Sequence, residues 1–172
     1  MLLFQVILFL ALSATLYFLI RPVIRGAMYF PTPPEVVSGV VRLAKPRRGE
    51  SALDIGSGDG RLIIALAKAG AKAVGCEINP LLVWKSRAAI KKSGLAKEAS
   101  VAWRDFWRED FSRYDILVVF GRTAIMGDLS GKFAAEAKPG VRIVSVVYPL
   151  PGWQPTAWEK IGKYSVYLYV KP

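Results

Sequence analysis

The hydrophobic pattern splits the chain into an uninterrupted apolar opening and a long alternating remainder. From Met1 to Ile20 the sequence reads MLLFQVILFLALSATLYFLI, without a charge and with only Gln5, Ser13, Thr15 and the Tyr17 hydroxyl as polar groups. At 1.5 Å per residue a helix of that length spans roughly 30 Å, the thickness of a bilayer's hydrocarbon core. The pattern predicts a transmembrane anchor over residues 1–20. No Lys or Arg precedes the run, and Arg21 and Arg25 follow it. The positive-inside rule then places the C-terminal side in the cytoplasm. A cleaved signal peptide would want a basic start and a small-x-small exit, and Leu19-Ile20-Arg21-Pro22 is neither.

Residues 21–31 read as a linker, and residues 32–172 as one domain. Thr32-Pro33-Pro34-Glu35 predicts a helix start, with Thr32 as N-cap, prolines in the first turn and Glu35 as a capping-box partner. Val36, Val37, Val40, Val41 and Ala44 give that helix an apolar face ending near Lys45-Pro46. Beyond Glu50, short apolar runs alternate with helical patterns. Strands are predicted at 51–55, 71–78, 99–104, 114–120 and 141–147, and helices at 60–69, 80–93 and about 127–137. Two further strands, 158–161 and 164–170, have no helix between them. The reading is an α/β, Rossmann-like domain with helices on both faces of a mostly parallel sheet, closed by a C-terminal antiparallel hairpin.

Composition narrows the chemistry. The sequence has 172 residues, one cysteine (Cys76) and no histidine. A catalytic His triad and His-ligated zinc are excluded, and no metal site is expected. The net charge of +11, from 24 Lys and Arg against 13 Asp and Glu, favours anionic partners. Next to the apolar opening, it suits the anionic face of a lipid bilayer.

The strongest local signal is Leu53-Asp54-Ile55-Gly56-Ser57-Gly58-Asp59-Gly60-Arg61, where a strand turns into a helix. Glycines at alternate positions let the backbone bend sharply and approach a ligand with no Cβ in the way. A dinucleotide fingerprint would be G-x-G-x-x-G, but Arg61 stands at its third glycine. Asp54 beside the loop would repel a pyrophosphate and suit an ammonium. The implied ligand is an adenosine linked to an amino acid. Glu77, ending the second strand before Ile78-Asn79-Pro80, can accept both ribose hydroxyls. Asp105 after the third strand can accept from the adenine amino group, with Phe106 packing on the base. Ser57 and Asn79 complete the candidate cofactor contacts.

At these residues the chain resembles the seven-strand, class I methyltransferases. More closely, it is similar to the membrane-anchored protein-lysine methyltransferases, whose eukaryotic members modify the c-ring protein of ATP synthase and the adenine nucleotide translocase. The resemblance runs from about Tyr29 to the C-terminus. It is carried by Phe30-Pro31-Thr32-Pro33, Asp54 to Arg61, Glu77-Ile78-Asn79-Pro80-Leu81-Leu82-Val83-Trp84, Phe120-Gly121 and Tyr148-Pro149-Leu150-Pro151-Gly152-Trp153. The family pattern implies S-adenosylmethionine as cofactor and a protein lysine as methyl acceptor, on a membrane protein. It also carries Asp54, Gly56, Gly58, Gly60, Glu77 and Asp105 over as cofactor contacts. Phe30, Pro31 and Thr32 carry over as an element covering the cofactor and substrate channel. Arg122-Thr123 departs from the less polar pair the family would place there, which bears on substrate choice. No Arg-rich transit pattern is present, so a prokaryotic inner membrane is the more natural location than a mitochondrial one.

A lysine nucleophile must be neutral, which at pH 7 costs roughly 4–5 kcal/mol from a pKa of about 10.4. With no histidine to act as base, desolvation among aromatic rings would lower the lysine pKa directly. Phe120, Tyr148, Trp153, Tyr29 and Phe30 are the candidates for that pocket. Nucleic-acid methylation is the competing enzyme reading, but the place after the fourth strand reads Phe120-Gly121-Arg122-Thr123 rather than an Asn/Asp-Pro-Pro-aromatic run. No nucleic-acid partner is expected. A small-molecule methyltransferase and a non-catalytic cofactor-binding scaffold remain as further alternatives.

Overall fold

The structure is a computed structural model that describes residues 1–24 and 29–172, the side chains of 18–24 excepted. Helix α1 covers Leu2–Ile24 and α2 Pro34–Ala44. The domain continues as β1 (Ser51–Ile55), α3 (Arg61–Lys68), β2 (Lys72–Glu77), α4 (Pro80–Lys92) and β3 (Ala99–Trp103). After two single 3-10 turns, Phe106–Arg108 and Phe111–Arg113, come β4 (Ile116–Val119), α5 (Thr123–Glu136), β5 (Arg142–Val146), β6 (Ala157–Ile161) and β7 (Tyr164–Val170). The strands form one sheet in the order β3-β2-β1-β4-β5-β7-β6. β1 to β5 pair in parallel, and β7 runs antiparallel to both of its neighbours.

This order has a physical origin in the crossovers. Helical connections between parallel strands are right-handed, so the chain winds outward from β1 to β3 and then returns to place β4 on the other side of β1. The switch point therefore lies at the carboxyl end of β1, where the glycine loop leaves the sheet. Side chains alternate across the sheet. Ala52, Ile116, Val118, Val144 and Val146 pack on one face with α2, α3 and α4. Leu53, Ile55, Leu117, Val119 and Ile143 pack on the other with α5 and the 3-10 turns. Helix α2 approaches closely through Gly39, whose hydrogen faces the Ile161 side chain. Arg142 on β5 caps its far end by donating to the carbonyls of Ala44 and Lys45 at 2.8 and 2.7 Å.

The expected strands and the closing hairpin are all present, with ends shifted by a residue or two. Helix α5 starts at Thr123 rather than near Gly127. Burial of Met126, Leu129 and Phe133 on one face outweighs the weak helix propensity of Gly127 and Gly131. Thr32 is not the N-cap of α2. The cap is Pro33, with no side-chain cap hydrogen bond. A threonine cap serves the N–H groups of the first turn, and Pro34 has none to offer.

The transmembrane anchor over 1–20 needs correction, and with it the membrane location with a cytoplasmic domain. Among the described residues no helix is long and apolar enough to cross a membrane. Spanning takes about 20 consecutive apolar residues. The described side chains of α1 end at Tyr17, short of that length, and its backbone goes on through Arg21 and Pro22. The Arg21 side chain and Arg25, on which the expected orientation rested, lie outside what is described, as do residues 25–28 of the expected linker.

Candidate active site

The glycine loop turns because Gly56, Gly58 and Gly60 all adopt positive φ, at 79°, 54° and 84°. The N–H groups of Gly56 and Ser57 both donate to the Cys76 carbonyl at 3.0 Å, folding the loop back over β2. The three glycines then serve different ends. A Cβ on Gly56 would meet nothing within 4 Å, so its backbone faces open space, whereas Gly60 faces the Ser86 side chain and lets α4 pack close. Ser57 is buried with its hydroxyl unpartnered, and it lies against Gly75 of β2.

Asp54 is buried at the end of β1. Burial, then the negative charges of Glu77 and Asp59, push its carboxyl up to about 7, and no hydrogen bond among the described residues offsets this. A buried carboxylate in that state lacks a cation. Glu77 ends β2, also buried. Its Oε2 accepts the Gly58 N–H at 3.0 Å and its Oε1 the Asn79 N–H at 2.7 Å. Burial still raises its pKa. Asn79 itself caps α4, its Oδ1 accepting from the Leu81 N–H. Asp105 is buried as the cap of the 3-10 turn at Phe106, its Oδ1 accepting the Trp107 N–H at 3.1 Å. The Phe106 ring lies in the core beneath that turn, tilted against Trp107.

The loops after β4 and β5 form the other side of the same edge. Phe120 is half-buried, edge-on to Tyr164 at 6.4 Å. After β5, Val147 has φ 74°, a left-handed conformation that a β-branched residue rarely accepts. The structure around it enforces that bend. The Val147 N–H donates to the Ser165 carbonyl, and Ser145 Oγ donates to the Tyr148 carbonyl at 2.5 Å. Farther along, the Leu150 N–H donates to the Tyr169 hydroxyl and Ser130 Oγ to the Pro151 carbonyl. Trp153 sits edge-on to Tyr169 at 6.3 Å. Tyr148 is left 36% exposed and Phe30 64% exposed, while Thr32 is buried.

Three contacts had no sequence signal. Tyr29 donates through its hydroxyl to Asp59 at 3.1 Å, and Arg61 chelates Asp59 through Nε and Nη2 at 2.9 and 2.7 Å. Arg61 Nη1 also donates to the Thr32 carbonyl at 2.8 Å. Nothing in the spacing of residues 29–32 and 59–61 announces that they meet.

A sheet of this order, a glycine loop at its switch point and carboxylates at the ends of β1, β2 and β3 define an S-adenosylmethionine-dependent methyltransferase of class I. The unpaired, buried Asp54 and the open space over Gly56 fit the amino-acid end of that cofactor, and Glu77 fits its ribose. Residues 54–157 match the ANTKMT methyltransferase domain, and the chain belongs to that family. It is 37% identical over 161 residues to the ATP synthase c-ring lysine N-methyltransferase of Mus musculus, covering 90% of this chain and 65% of the mouse protein. It is 36% identical over 148 residues to a protein-lysine N-methyltransferase of Saccharolobus islandicus, covering 83% of this chain and 92% of that one. An RNA methyltransferase of Salinibacter ruber, solved with S-adenosyl-L-homocysteine, superposes with a TM-score of 0.80 at 29% identity, covering 83% of this chain and 94% of that one.

Proposed function

We propose that this chain transfers a methyl group from S-adenosylmethionine to a lysine side chain of a protein. The observation that carries the reading is the buried Asp54 without a cation, at the glycine loop of a chain more than a third identical to lysine methyltransferases. When bound, the cofactor supplies an electrophilic methyl on a sulfonium. Asp54 binds its ammonium, and Glu77, already oriented by the N–H groups of Gly58 and Asn79, receives the ribose hydroxyls. Asp105 receives the adenine amino group. Phe120, Tyr148 and Trp153 shed water around the incoming lysine and favour its neutral form. Alignment rather than proton abstraction is the protein's main contribution.

The finer reading of the partner, a lysine on an integral membrane protein, belongs to the same proposal. Its support is apolar surface beside the cofactor loop. Lys85 Nζ stands 6.0 Å over the Tyr29 ring, which brings α4 next to Phe30, and Leu81 and Trp84 of α4 are 75% and 72% exposed.

The test is labelled methyl transfer from S-adenosylmethionine into extracts containing protein and RNA, followed by mass spectrometry of the labelled product. Methyl-lysine is expected, and its appearance should be lost with Asp54→Asn. Label confined to RNA would move the assignment to the substrate class of the Salinibacter ruber relative and overturn the lysine reading.

A further inference from the structure

Asp59 and Arg61 lie two residues apart in the cofactor loop, and an ion pair of that kind can be mere loop geometry. Here both partners also reach back to the segment before α2. Asp59 accepts from the Tyr29 hydroxyl, and Arg61 donates to the carbonyl of buried Thr32. The Asp59 side chain is only 13% exposed, and Arg61 holds its carboxyl below the usual carboxylate range. The consequence falls on Gly58. A Cβ there would stand 2.9 Å from Tyr29 Cε2, so the tyrosine ring lies directly against the glycine backbone. The N–H of the same glycine donates to Glu77 Oε2. A continuous path therefore runs from Asp59 and Arg61, through the Tyr29 ring, to the carboxylate that receives the ribose.

We propose that Asp59 and Arg61 are positioning residues that latch Tyr29–Thr32 onto the glycine loop, and that the latched tyrosine holds Gly58 where it orients Glu77. This rests on the reading of Glu77 and the glycine loop as the cofactor site. The latch touches neither the transferred methyl nor the acceptor lysine. Its loss acts on cofactor retention, not on turnover once the cofactor is bound. The three groups act as one unit, because the hydroxyl of Tyr29 has no other role in the path than to reach Asp59.

The experiment uses the full chain with Tyr29→Phe, Asp59→Asn, Arg61→Lys, the double variant Tyr29→Phe/Asp59→Asn, and Glu77→Gln as the site control. Binding of S-adenosylhomocysteine is measured by calorimetry and its release by stopped flow. Each single latch variant is expected to weaken binding about 3- to 10-fold, the loss of one or two net hydrogen bonds, through faster release. Turnover at saturating cofactor stays within about twofold, since the bound geometry is unchanged. The double variant binds no more weakly than Asp59→Asn alone, because the two changes remove one interaction. Unchanged affinity in the single variants, with Glu77→Gln impaired, overturns the latch and leaves the cofactor site standing. Losses that multiply in the double variant, or turnover that falls as far as affinity, overturn it too. Unchanged affinity in Glu77→Gln removes the site itself and the latch with it.

Discussion

At the scale of single residues, Asp54 ties function to stability with opposite signs. Its carboxyl titrates near 7 in the folded chain because burial, Glu77 and Asp59 disfavour the charge, against an ordinary value of 3.8. The unfolded chain therefore releases this proton more readily than the folded one. Folding stability from this group falls as pH rises from about 4 to about 7 and stays reduced above that. Asp54→Asn should raise the melting temperature of the cofactor-free protein at pH 8 by several degrees and leave it nearly unchanged at pH 4. Cofactor binding needs the charged form, so S-adenosylhomocysteine affinity should drop by roughly tenfold per pH unit below about 7, and Asp54→Asn should abolish that dependence. Calorimetric titrations across pH 5 to 8 decide it, and a flat profile in the unmutated chain would sink the argument. Asp54 and Glu77 were legible in the sequence because a carboxylate at a strand end beside alternating glycines has few other uses. The Tyr29–Asp59–Arg61 contacts were not, because nothing local links residues so far apart in the chain. Phe106 shows the converse: its place after Asp105 suggested a ring on adenine, and the 3-10 turn directs it into the core.

At the scale of elements, the crossover from β3 to β4 is where helical periodicity had least to offer. Two single turns replace a helix there, and their order comes from polar contacts instead. Glu109 is 4% exposed between them. Its carboxylate accepts the Tyr114 hydroxyl at 2.8 Å and Arg104 Nη1 at 2.5 Å, and lies 3.8 Å from Cys76 Sγ. Burial opposes its charge, but the Tyr114 and Arg104 donors prevail and lower its pKa. The same surroundings, burial first and then the Glu109 charge, push the Cys76 thiol up to about 12. Since the Glu109 N–H also closes the turn on the Phe106 carbonyl, the cluster fixes the segment that begins at Asp105. Glu109→Gln should cost about 1–3 kcal/mol, the penalty for a buried donor left without its charged partner, read as a lower denaturation midpoint at unchanged slope. A midpoint equal to that of the parent chain would mean that core packing of Phe106 and Phe111 alone holds the crossover. Strands β1 to β5 were legible from their continuous apolar runs, as expected for strands buried on both faces. The hairpin β6–β7 was legible from the missing helix between its strands. The 3-10 turns follow no hydrophobic period, and their capping residues Asp105 and Asp110 read equally well as loop formers.

At the scale of the whole molecule, the domain is complete without α1. The sheet is covered on one face by α2, α3 and α4 and on the other by α5 and the crossover turns, and neither buried cluster includes a residue of α1. From Leu2 to Tyr17 every side chain of that helix is exposed, with Phe4 at 71% and Phe9 at 69%. A continuous apolar surface of that kind contributes nothing to the domain's core, and in plain buffer it gives the chain a reason to self-associate. The anchor expected from the sequence was an inference from apolar length alone. The structure supplies a helix there but none that meets the length and apolarity of a span among the described residues. The domain's own stability should therefore be independent of residues 1–24. Removing them is expected to leave the melting temperature and S-adenosylhomocysteine affinity of the domain unchanged, while light scattering shifts from a broad distribution to a single small species. The latch of Tyr29 on Asp59 lies beyond the cut and survives it. If the shortened chain melts lower, α1 packs on the domain in a way its exposed side chains do not show. If it melts equally but binds cofactor more weakly, residues 1–24 hold the Tyr29–Thr32 segment in place from outside, and the glycine loop depends on more of the chain than its immediate neighbours.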